Sequence, residues 1–145
     1  METHKLTQTL LQNCYKNAQM ALVSLDDVIP KAQGGLKEEL LAERDGYEKL
    51  ITEAAALAHE KGIELTDVGT MKKSMVAASV KMKTMMNDSD SHVAEMTMKG
   101  TVMGITELIR DISESGALID KDVLELLKKF RVFEENCEEK LKGYI

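Results

Sequence analysis

Apolar residues recur along this chain at spacings of three and four. Leu11, Cys14, Ala18, Ala21, Leu25 and Val28 do so over the first stretch, which places them on one face of a helix. Pro30 follows, and the residue before a proline is pushed away from helical backbone. The pattern predicts a first helix over about 3–29. Leu36, Leu40, Glu43, Tyr47, Leu50, Ala54 and Leu57 keep a strict four-three rhythm. They predict a second helix over about 35–61, with Gly62 as its left-handed C-terminal cap. A third helix over about 67–86 is predicted with Thr66 as N-cap and a stripe of Met71, Met75, Met82 and Met86. A fourth runs over about 91–115, preceded by the capping residues Asp88, Ser89, Asp90 and Ser91. A fifth runs over about 121–142, capped by Asp120, with Leu127, Phe130, Glu134, Cys137, Leu141 and Tyr144 as its stripe. No segment alternates apolar and polar residues as a half-buried strand would. The fold class read from this pattern is all-α, and no linker divides residues 1–145 into more than one domain.

Connection lengths constrain the arrangement. The first two helices are joined by roughly five residues, as are the last two, so each pair is expected to run antiparallel. At 1.5 Å per residue the third helix spans about 30 Å, enough to carry the chain back along the whole bundle. With that helix packed outside, the inner four run up, down, down, up.

Composition narrows the function classes. Of 145 residues, 43% are hydrophobic and 30% charged, with a net charge of −6. That is enough apolar material for a core, and the wrong sign for non-specific nucleic-acid binding. Two cysteines do not make the framework of a secreted disulfide scaffold. The N-terminus has no apolar stretch of signal-peptide kind, and no run approaches the ~20 apolar residues of a membrane span. A cytoplasmic protein with reduced thiols is expected. Ten Met and no Trp mean that Leu, Ile, Val, Ala and flexible Met must fill the interior.

The stretches CYKNAQMALVSLDDVIPK (14–31) and SHVAEMTMKGTVMGI (91–105), set in two helical hairpins joined by a long crossover, resemble the ferritin and rubrerythrin superfamily. The nearer likeness is to a bacterial branch of small ferritin-like proteins without an assigned role. The resemblance covers most of the chain as architecture more than as motif. It implies a four-helix bundle and, in its metal-bearing members, a di-iron site. Such a site takes a Glu from each of two helices and a Glu-x-x-His from each of the other two. Neither motif is complete here: three residues after Glu43 stands Gly46, and three after Glu134 stands Cys137. The first helix has no acid between Thr3 and Ser24.

Glu43 and Glu134 nonetheless interrupt apolar stripes. Each lies roughly 12–13 Å below the same end of the bundle. Met20 falls at the same depth, as do Met96 to Lys99, with Glu95 slightly above. Two carboxyl groups in one core layer call for a cation, a shared proton or a basic partner. They also fit a structural role in which Glu43 pairs with Lys99 or Arg131. The candidate metal set is Glu43, Glu134, Glu95 and His92, with iron or manganese implied by the resemblance only. His92 and Glu95 are three apart and share a helix face, but His92 sits in the first turn, where capping or surface pairing competes. His4 and His59 are expected in solvent. Cys14 and Cys137 are predicted at different heights, too far apart for a disulfide.

MKKSMVAASVKMKTMMN (71–87) has four Lys and no acid. Its methionines are expected to pack on the bundle with Lys outward. Competing readings are a partner or dimer surface, for which Met is suited, an anionic membrane surface, and copper(I) binding by thioethers. Gly100 and Gly104, four apart, are expected to let another helix approach. No Gly-rich phosphate loop, nucleophile–His–acid set or zinc spacing is present. The expectation is a ferritin-like bundle with a degenerate or lost di-metal site and no enzymatic activity, acting as a binding or interaction module and a homodimer. The alternative is a carboxylate-based iron or manganese protein.

Overall fold

The computed structural model describes residues 2–145, with side chains from Thr3 onward. The described residues are all-α. Helix α1 spans Glu2–Val28, α2 Gly34–Glu60, α3 Thr70–Met86, α4 Asp90–Ser115 and α5 Lys121–Lys142. A 3₁₀ turn, Ile29–Lys31, follows α1. Pro30 opens that turn, where its missing N–H has no bond to make. Helix α2 ends as its glycine predicts. Gly62 has φ +68°, Gly62 N donates to His59 O and Ile63 N to Ala58 O, and this paired closure satisfies carbonyls that the helix end leaves open.

The third helix begins three residues later than the pattern predicts, with Gly69 rather than Thr66 at its N-cap. The reason is a competing set of bonds to α1. Tyr15 Oη donates to Asp67 Oδ1 at 2.7 Å and Gln19 Nε2 to the same oxygen at 2.9 Å. Val68 N donates to Gln19 Oε1, and Gln12 bonds both the N–H and the carbonyl of Thr66. Their polar groups are thus satisfied without a helix. Asp120 stands at the N-cap of α5 but makes no capping bond there. Its carboxylate goes to Lys61 instead, at 2.9 Å.

Helix ends meet in two groups. Gln33 N, just before α2, donates to Asp90 Oδ1 at the start of α4, and the ring of Tyr144, after α5, lies against Gly35. At the opposite end Lys61 sits 2.9 Å from both Asp120 and Asp122, joining the end of α2 to the start of α5. Asp120 N donates to Thr7 Oγ1 in the first turns of α1. Laterally α4 packs most extensively on α5 and α1 on α2, with further contacts between α1 and α4 and between α2 and α5. Leu11, Leu25, Leu36, Leu40, Val93, Val123, Leu127, Phe130 and Leu141 are buried between them. Burying each fully stabilises the fold by about 1.5–3 kcal/mol.

Helix α3 lies on α1, and it does so with the face opposite to the one expected. Val80 and Thr84 are buried, whereas Met71, Met75, Met82, Met85 and Met86 are 66–89% exposed. Small and β-branched residues let the two helices approach, and the methionine stripe is turned to solvent. On α4, Ile105 and Leu108 are buried, while Val102 and Ile109 are about two-fifths exposed. Among the described residues no helix is long and apolar enough to cross a membrane.

Candidate functional site

The stripe of α2 carries Glu43 inward with Leu40 and Tyr47, and the stripe of α5 carries Glu134 and Cys137 inward with Phe130. Glu43 is 2% and Glu134 7% exposed. Tyr47, one turn beyond Glu43, donates its hydroxyl to Glu134 Oε2 at 2.7 Å. Its ring meets Phe133 edge to face, with centroids 4.9 Å apart. Both oxygens of Glu43 are enclosed without a hydrogen-bond partner. The basic partners considered for it are engaged elsewhere: Lys99 holds Glu95 at 3.1 Å and Arg131 holds Glu135 at 3.4 Å.

The environment acts on protonation accordingly. Burial pushes the Glu43 carboxyl up to about 8, helped by the Glu39 carboxylate one turn away and opposed by the Cys137 thiol and Lys140. Burial likewise pushes Glu134 up to about 7, held back by the Tyr47 hydroxyl and raised by Glu107. Burial, then Glu134, keeps Tyr47 protonated. Both cysteines are free and buried. Burial first, and then the nearby acids, drive both thiols far above their ordinary range, so neither is a nucleophile at neutral pH.

Glu43, Tyr47 and Glu134 form the floor of a cavity of about 440 Å³. Its walls are Met20, Ala21, Leu25 and Val28 of α1, Val76 and Val80 of α3, and Met96, Thr101 and Met103 of α4. Lys83, Lys99, Asn17 and Glu107 also line it, and Asn17 bonds Glu107 across it, from α1 to α4. The two glycines of α4 line this space. A Cβ on Gly104 would meet Glu134 Oε2 at 2.7 Å, while a Cβ on Gly100 would have nothing within 4 Å. Gly104 is therefore where the Glu134 carboxyl approaches the α4 backbone.

The four candidate ligands are not gathered. Glu43 and Glu134 line the cavity together. Glu95 is nearly half exposed and turned to Lys99. His92 is half-buried, its backbone N–H donating to the N-cap Ser89 Oγ, and it lies outside the cavity lining. Met20, Met96 and Lys99 do line the cavity, as their depth implies; Met98 does not. His4 and His59 are exposed. Among the described residues no group of three or more His, Cys, Asp or Glu side chains is disposed to hold a metal ion.

A di-metal pair does not fit these side chains. One oxygen of Glu134 is committed to Tyr47, and no imidazole lines the cavity. At position 46, where the resemblance implies a histidine, a Cβ would overlap the ring of Phe133. Periodicity places Tyr47 in the stripe of α2 and Gly104 on α4, but assigns neither a part in the site. Tyr47 carried a signal, a polar-tipped ring one turn from a stripe carboxylate; Gly104 carried none that separated a helix crossing from a carboxyl seat. Comparison with known proteins gives no match: no family model, no curated protein and no solved structure matches this chain.

Proposed function

We propose that the protein is a ferritin-like helical bundle whose di-metal site is lost, and that it acts as a binding module. The observation that carries this is the cavity floor. Glu43 stands there without a partner, Glu134 is bonded to Tyr47, and the space beside Gly46 is taken by Phe133. An interior that keeps its acids, lacks imidazoles and retains a space of ligand size suits a small-molecule site better than a metal centre. The helix-end contacts support an up, down, down, up order for α1, α2, α4 and α5, with α3 as the crossover packed outside on α1. A homodimer is part of the same reading, paired through the methionine face of α3. Exposed apolar residues on one flank of a helix, with Lys on either side, are a recurrent feature of interaction surfaces.

Elemental analysis of protein purified without a polyhistidine tag tests the metal side of this proposal. The expected result is no stoichiometric iron or manganese. Either metal at stoichiometric level, and lost in a Glu43→Ala/Glu134→Ala variant, would establish the carboxylate-based metal protein instead.

A further inference from the structure

The cavity has a chemical polarity of its own. Its inner end offers the two enclosed Glu43 oxygens, which make no hydrogen bond although the weakly donating Cys137 thiol lies nearby, and the Glu134 carboxyl. Its walls are apolar, from Met20, Leu25, Val28, Val76, Val80 and Met103. Its lining also carries exposed charges of both signs, Lys83, Lys99 and Glu107, and Lys99 is paired with Glu95. An unpaired buried acceptor costs free energy until a donor arrives, and a carboxylate regains most from a charged donor.

We infer that this cavity binds a small organic monocation, a primary ammonium on a short apolar chain, with the ammonium on Glu43 and Glu134 and the chain along the methionine and valine walls. This rests on reading the site as a lost metal centre. An ammonium brings three donors to one point, enough to serve both carboxyl groups. A neutral alcohol brings one donor, and above about pH 8, where both carboxyl groups have lost their protons, a carboxylate ligand would meet like charge.

The test is a titration at about pH 9, where both carboxyl groups are ionised and an alkylammonium keeps its charge, of the tag-free full chain, its metal content measured beforehand, labelled with ¹³C at the methionine methyls. The probes are n-hexylammonium, 1-hexanol and hexanoate. Saturation by hexylammonium at one per chain is expected, with shifts at Met20, Met96 and Met103 and none at Met71, Met75 and Met86. It should bind at least about tenfold tighter than the other two probes, and at least about tenfold more weakly to Glu43→Gln. Gly100→Leu, whose new side chain enters open space beside the cavity, should keep the fold and abolish binding. If Glu43→Gln fails to fold, the Gly100→Leu result decides. Equal affinity for hexanol, no saturable binding by hexylammonium, unchanged affinity in the folded variants, or shifts confined to the α3 methyls would each overturn the inference. Stoichiometric iron or manganese would instead overturn the functional reading beneath it, so the two failures are told apart.

Discussion

Glu43 and Glu134 couple folding to pH. An unfolded chain releases their protons near the ordinary value of 4.5, whereas burial holds them to about 8 and about 7. Below pH 4.5 both states are protonated and neither group opposes folding. Between about 4.5 and 8 the folded state binds more protons than the unfolded one, so stability falls as pH rises, and the loss levels off above that window. The loss is on the order of a few kcal/mol. Thermal melts of the wild type should show a falling Tm from pH 5 to pH 8, and a Glu43→Gln/Glu134→Gln variant should flatten that slope; an unchanged slope would reject buried titrating acids. The two glycines of α4 make a second, internally controlled comparison. Gly104→Ala drives a methyl against Glu134 and should cost about 1–3 kcal/mol in denaturant unfolding. Gly100→Ala meets nothing and should stabilise by roughly 0.5–1 kcal/mol through helix propensity. The inward acids were legible because Glu43 and Glu134 share the period of their apolar neighbours. Glu95 and His92 were misleading because axial height says nothing about which way a rim side chain turns, and Lys99 takes Glu95 outward.

At the level of elements, the five helices could be read closely from periodicity, capping residues and Gly62. Helix α3 was the exception in two ways, both physical. Its start is set by bonds from Tyr15, Gln19 and Gln12, which local propensity cannot register. Its orientation is ambiguous because two faces are apolar, a methionine face and a valine–threonine face. Close approach to α1 selects the smaller side chains. The exposed methionine face then has a direct test. Met71→Glu with Met75→Glu removes little packing within the chain, so the variant should stay helical and melt cooperatively. Light scattering should report the proposed dimer for the wild type and a monomer for the variant; a variant that stays dimeric would exclude this face as the interface, and a monomeric wild type would exclude the dimer.

On the scale of the whole molecule, the same arrangement that gives α3 its contact with α1 leaves a cavity reaching from α3 and α4 down to the acids of α2 and α5. Its existence was not legible: stripes name the residues that point inward, but not whether the space between them is filled. The central claim is that this interior site is built for a ligand and not for a metal pair. Anaerobic calorimetric titration with Fe(II) tests it most directly. The account predicts no saturable binding beyond weak surface association, with identical heats from the wild type and the Glu43→Ala/Glu134→Ala variant. Saturation at one or two Fe(II) per chain, abolished by that variant, would contradict it.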